Sequence, residues 1–254
     1  MSISFQLYSA RNFTPWDGVI STLAQVGYTQ VEGAGDVYNE PQAFRLLMDT
    51  HGITMPSGHF GIADLEKDFS KVVETATILG IKKIVCPYLV EEDRPTDSVG
   101  WQAIADRLQV ISEKVIAAGF SFAWHNHDFE FFACEDNGAI PMSILLNTVS
   151  EMEWEADIAW VVRGGQNPLN WIEKYGSRIT VAHAKDIAAA GECVDEDGWA
   201  DFMTGTMEWQ EIGAALKQAG TSMFVVEHDN PNDLIRFTSR SYKNLSNMLE
   251  SADV

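Results

Sequence analysis

Four polar clusters in the second half of the chain carry the residue types that do acid–base and metal chemistry. They are His125-Asn126-His127-Asp128-Phe129-Glu130, Asp157, His183-Ala184-Lys185-Asp186 and Glu227-His228-Asp229. Each ends a short apolar run: Phe120–Trp124, Met152–Ala156, Ile179–Ala182 and Phe224–Val226. If the runs are neighbouring parallel strands, their C-terminal ends converge on one mouth. Carboxylates and imidazoles then face each other at close range, and a divalent cation relieves the repulsion that follows.

The elements that must position these clusters recur eight times. The spacing predicts strands over Ile3–Tyr8, Gln30–Glu32, Ile53–Ser57, Lys83–Pro87, Ser121–His127, Glu153–Trp160, Ile179–Asp186 and Ser222–His228. Helices are predicted between and after them: Pro15–Val26, Glu40–Thr50, Leu65–Leu79, Ser98–Ala118, Pro141–Thr148, Pro168–Tyr175, Trp209–Ala219 and Asn232–Leu249. Glycines such as Gly27, Gly52 and Gly80 stand where a helix end needs a left-handed residue. Strand–helix alternation indicates parallel βαβ units. Eight of them in 254 residues predict one α/β domain over 1–254, a closed (β/α)8 TIM barrel, whose usual length is ~250 residues. An open doubly wound sheet is the competitor, but no G-x-G-x-x-G follows the first strand. The longest irregular stretch, Ala188–Met207, precedes the seventh helix; on a barrel's catalytic face it would form a lid.

Composition narrows the partners. Lysine and arginine number 17 against 37 acids, a net charge of −20. Nucleic-acid affinity depends on neutralising phosphates with cations, so nucleic acid is not expected as a partner. No run approaches the ~18 apolar residues of a membrane span, and no basic leader with an apolar core precedes the first strand. Cys86, Cys134 and Cys193 are odd in number and widely spaced, so they form no disulfide framework. A cytoplasmic setting is the expectation.

Residues two apart on a strand share a face. Val181, His183 and Lys185 therefore align, as do Met223, Val225 and Glu227, then Glu153, Glu155 and Asp157, and then Ala123, His125 and His127. His183, Glu227 and Asp157 are the C-terminal members of faces that could point inward. Glu130 is out of phase with His125 and reaches the mouth only if the chain turns after His127.

The string Trp124-His-Asn-His-Asp-Phe-Glu-Phe131 resembles a signature of the xylose isomerase-like TIM barrels, a group of sugar phosphate isomerases and epimerases. Asp157-Ile-Ala-Trp160, Gly164-Gly165-Gln-Asn-Pro168, His183-Ala-Lys-Asp186 and Val226-Glu227-His-Asp229 follow in the same order, and Ser57-Gly-His59 fits on the third strand. The resemblance spans nearly the whole chain. It implies metal ligands at Glu130, Asp157, His183 and Glu227. Many members carry a glutamate within the fifth strand where this chain has His125, so His125 is the alternative to Glu130. The group often pairs, which leaves a homo-oligomer open.

One imidazole and three carboxylates would suit Mn²⁺, with Mg²⁺, Co²⁺ or Zn²⁺ as alternatives. Such a site fits a small sugar as substrate and proton abstraction beside its carbonyl. Glu227 is then the candidate base, with Lys185 stabilising negative charge on an oxygen and His125 as a further catalytic candidate. Glu32, His59, His127 and Trp160 are the candidate substrate contacts. Three readings follow: an isomerase or epimerase of a keto-sugar or its phosphate, a lyase acting on an inosose or 3-keto-glycoside, and a non-catalytic sugar-binding barrel. Each residue has a plainer alternative. Asp157 could cap a turn, His183 could be a satisfied barrel histidine, and Glu227 could pair with Lys185 or Arg236.

Overall fold

A computed structural model describes residues 1–251. Eight parallel strands close into a barrel: β1 (Ser2–Gln6), β2 (Gln30–Gly33), β3 (Thr54–His59), β4 (Lys83–Cys86), β5 (Ser121–His125), β6 (Glu153–Asp157), β7 (Ile179–Ala184) and β10 (Met223–Val226). Each strand neighbours the next in sequence, and β10 pairs with β1 to complete the ring. This is the predicted architecture.

Helices α1 (Trp16–Val26), α2 (Pro41–His51), α3 (Ile62–Lys67), α4 (Phe69–Leu79), α5 (Ser98–Ala117), α6 (Pro141–Thr148), α7 (Ile158–Arg163), α8 (Pro168–Tyr175), α9 (Trp209–Ala219) and α10 (Leu234–Glu250) surround it. Their apolar faces and the outward faces of the strands form the main core, which includes Leu108, Phe122, Trp124, Trp154, Leu216 and Phe237. Burial of such side chains stabilises by roughly 1.5–3 kcal/mol each. A separate small cluster of Val181, Met223 and Val225 fills part of the barrel interior. These are the inward members of β7 and β10, directly beneath His183 and Glu227 in the alternation.

Two predicted elements end differently. The single helix expected over Leu65–Leu79 is two, broken at Asp68, which stands at the N-cap position of α4 with φ −124° and no side-chain capping bond. The strand expected to reach Trp160 stops at Asp157, whose side chain accepts from the Trp160 amide and starts α7. The irregular stretch after β7 holds a small antiparallel pair, β8 (Asp186–Ile187) with β9 (Trp199–Ala200). Arg236 of α10 fastens this segment through Glu196 (2.6 Å) and Asp201 (3.1 Å). Among the described residues no helix is long and apolar enough to cross a membrane.

Candidate metal centre at the barrel mouth

Register brings the polar residues together. Asp157 lies opposite His183, His183 opposite Val225, and His125 opposite Glu155 across adjoining strands. One ligand atom from each of His125, Asp157, His183 and Glu227 falls within 4.8 Å of the others, and all four side chains are buried. A second group meeting the same criterion is His59, His125, Glu155 and His183. The two groups share His125 and His183, so their geometry is one continuous polar core.

The supporting bonds tell the levels apart. His183 Nε2 lies 2.9 Å from Glu32 Oε1 and its Nδ1 lies 2.8 Å from Glu227 Oε2. Glu32 is itself held by Gln6 Nε2 (2.8 Å) and the Ser57 hydroxyl (2.5 Å). His59 Nε2 sits 2.7 Å from Glu155 Oε1. Carboxylates that accept from the far nitrogen of an imidazole orient it as a metal ligand. With the Nε2 proton given to Glu32, the Nδ1 lone pair confronts a Glu227 oxygen. That contact requires either a second proton or a cation.

Lys185 is fully buried, with Nζ at 3.1 Å from Asp157, 3.0 Å from Glu227 and 2.9 Å from Asp229. Burial opposes its charge, but the three carboxylates outweigh that and hold its pKa above the usual lysine value. The lysine in turn shapes its partners. Burial raises the Asp157 carboxyl to about 6 against the pull of Lys185. Burial is overcome at Glu227, where Lys185 and His183 hold the carboxyl well below its usual range. Glu155 is held at about 2 by His59 and His183 despite burial and the nearby Glu32. His125 goes the other way: burial and the adjacent His183 keep it neutral.

Asn126 fixes the junction between β5 and β6. Its Oδ1 accepts from Trp154 Nε1 (2.7 Å) and the Asp157 amide (3.0 Å), and its Nδ2 donates to the Asp157 carbonyl (3.0 Å). Asp157 thus has two roles, capping α7 with one oxygen and facing Lys185 with the other.

Glu130 does not join the cluster. β5 ends at His125, and the turn after it folds the Glu130 carboxylate back onto Trp124 Nε1 (3.0 Å) and the His127 amide (2.9 Å). Its place beside Asp157, His183 and Glu227 is taken by His125, the alternative considered from sequence. The donor set becomes two imidazoles and two carboxylates rather than one and three. Burial pushes the Glu130 carboxyl up to about 8.

The remaining sequence candidates separate by depth. His59 and His127 line the cavity over the cluster, as does Trp160, while Glu32 lies fully buried beneath it. Glu227 contacts Lys185; Arg236 pairs instead with Glu196 and Asp201. Two contributors escaped the sequence reading: Glu155 and Gln6. Glu155 was legible in principle, because three alternate acids on β6 cannot all be buried without partners.

The comparisons agree with this architecture. The chain is 20% identical over 220 residues to the rhizopine catabolism protein MocC of Rhizobium meliloti, covering 77% of this chain and 65% of that one. It therefore spans just under two thirds of that relative's length. A sugar phosphate isomerase/epimerase from Parabacteroides distasonis superposes with a TM-score of 0.80 at 20% identity, over 96% of this chain and 93% of that chain. The IOLI protein, solved with a bound zinc atom, superposes with a TM-score of 0.73 at 17% identity, over 99% of both chains. At these identities the solved structures establish the fold. The family described as xylose isomerase-like TIM barrel matches residues 20–245, nearly the whole barrel, and the chain belongs to that family.

Proposed function

We propose that the protein is a divalent-metal-dependent sugar isomerase or epimerase that removes a proton from the carbon beside a carbonyl. The observation that carries this reading is the convergence of His125, Asp157, His183 and Glu227 within 4.8 Å at the cavity, next to a buried lysine. The zinc bound to the structurally similar IOLI protein supports it. Two imidazole nitrogens and two carboxylate oxygens suit Zn²⁺, Mn²⁺ or Co²⁺ better than an all-oxygen ion site would.

When bound, such a cation polarises a carbonyl and offsets the negative charge that develops on its oxygen. The chain's own groups do the rest. Glu227, ionised and lining the cavity, accepts the proton from the carbon. Lys185, buried with its three N–H donors directed at Asp157, Glu227 and Asp229, sets the charge of the carboxylates around the cation site. His127 is kept neutral by burial and by Lys185, its pKa down to about 3, so its ring can hydrogen-bond a sugar hydroxyl without adding charge. Trp160 and Trp199, with centroids 4.7 Å apart, wall the cavity against solvent. Glu32 and Glu155 hold the imidazoles in place.

Incubation with keto-sugars in D2O tests the reading. Deuterium should enter at the carbon beside the carbonyl in the metal-loaded protein and not in Glu227→Gln. Loss of a substituent from the neighbouring carbon during exchange would turn the reading to a lyase, which shares the first step.

A further inference from the structure

A lysine ammonium has three N–H donors and no acceptor. Those of Lys185 face Asp157 at 3.1 Å, Glu227 at 3.0 Å and Asp229 at 2.9 Å. The side chain is fully buried, so groups other than these carboxylates must keep water from its remaining sides. Two indoles are in place to do so. Nζ lies 4.6 Å from the ring centre of Trp199 and 5.1 Å from that of Trp160. Both fall inside the ~6 Å over which a ring face attracts a cation.

The two indoles have different origins. Trp160 belongs to α7, directly after β6, and is part of the barrel frame. Trp199 belongs to β9, in the stretch between β7 and α9, and reaches the lysine only through the fold of that stretch. The two ends of the stretch meet at Asp186, the residue after Lys185. Its carboxylate accepts from the amides of Ile187 (2.8 Å), Gly205 (3.1 Å) and Met207 (3.2 Å). A Cβ at position 205 would collide with that carboxylate and with the Ile187 carbonyl, so glycine permits the closure. Ile187 then lies opposite Trp199 in the β8–β9 pair. Arg163 adds a second tie: its guanidinium sits 3.1 Å from the Trp199 ring centre and donates to the Asp197 carbonyl at 2.9 Å. Trp199 is left 1% exposed.

The work of Lys185 at the mouth depends on this shelter. Its ammonium is the resident counter-charge of Asp157 and Glu227, and a divalent ion competes with it for the same oxygens. The attraction of an ammonium for a carboxylate weakens steeply as water enters between and around them. Taking the indole away admits water to the ammonium and loosens its hold on both carboxylates.

We propose that Trp199 is a positioning residue for Lys185, through which the fold of residues 188–207 sets the affinity of the barrel mouth for its cation. The effect on the cation rests on the metal reading above; the contact of indole with ammonium does not.

Mn²⁺ titration of the full chain, with free Mn²⁺ read by electron paramagnetic resonance, tests this on Trp199→Ala and on Trp199→Leu, which keeps an apolar filling without a ring face. Both should bind Mn²⁺ about three- to tenfold tighter than wild type. Trp199→Phe restores an aromatic face and should stay within about twofold of wild type. In a Lys185→Met background, Trp199→Leu should shift the affinity by no more than about twofold, because its effect passes through the lysine. Unchanged or weaker binding in the alanine and leucine variants, or the same gain without the lysine, overturns the proposal. Amine acylation of Lys185 in metal-free protein, read by mass spectrometry, separates the two ideas. Labelling about three- to tenfold faster in Trp199→Leu, with no Mn²⁺ bound by any variant, keeps the indole–lysine contact and sinks the metal reading. Equal labelling in proteins that bind Mn²⁺ sinks the proposal and keeps the metal.

Discussion

Nε2 of His183 lies 2.9 Å from Oε1 of Glu32, across the barrel interior from β7 to β2, with both side chains fully buried. That bond decides which nitrogen faces the mouth. Glu32→Gln keeps the volume and replaces the anion by a neutral amide, which leaves the His183 tautomer undetermined. Metal affinity, measured by chelator competition, should fall about 10- to 100-fold. Unchanged affinity would mean that Glu155, 3.1 Å from the same nitrogen, and Glu227 orient His183 without Glu32.

Lys185 is the cation already present among Asp157, Glu227 and Asp229. Lys185→Met removes the cation that holds the Glu227 carboxyl below its usual range and should lower kcat about tenfold or more at neutral pH by disturbing that base. Metal content should be retained or rise, because three carboxylates lose their resident counter-charge. Loss of metal together with activity would make Lys185 a structural strut of the site instead.

Glu130 gives a pH dependence outside the cation cluster. Its folded pKa of about 8 lies above the value near 4.3 of a free glutamate, so the folded state binds its proton more tightly. The stability it contributes is complete below the unfolded pKa and is lost as pH rises through about 8. Urea midpoints at pH 5, 7 and 9 should therefore drop more in the wild type than in Glu130→Gln. Parallel pH profiles would show that the Trp124 and His127 donors keep this carboxyl ionised.

The segment bearing Asp197 and Trp199, both lining the cavity, is tied to α10 by Arg236 through Glu196 and Asp201. Arg236→Ala leaves Asp201 with only Arg240, at 3.1 Å. Stability should fall by about 1–3 kcal/mol, with faster amide exchange across residues 188–207 and a raised KM. Unaltered exchange there would show that β8–β9 pairing suffices to hold the segment.

Much of this was legible because strand parity is rigid. Once β6, β7 and β10 are placed, Asp157, His183 and Glu227 must share an inward face, and they do. Glu130 was not legible, since its position depends on a turn after His125 that folds a carboxylate onto an indole rather than into the mouth. The Ile158–Trp160 run reads as strand by apolarity, but the Asp157 cap makes it helix, a choice settled by one side-chain hydrogen bond.

The most direct test is the metal content of protein purified without added metal and then loaded with Mn²⁺ or Zn²⁺, alongside Asp157→Asn and Glu227→Gln. Convergence of His125, Asp157, His183 and Glu227 predicts about one divalent ion per chain in the wild type, and less than about a tenth of that in either variant. No bound ion after loading, or equal binding by all three proteins, would contradict a metal centre at the barrel mouth.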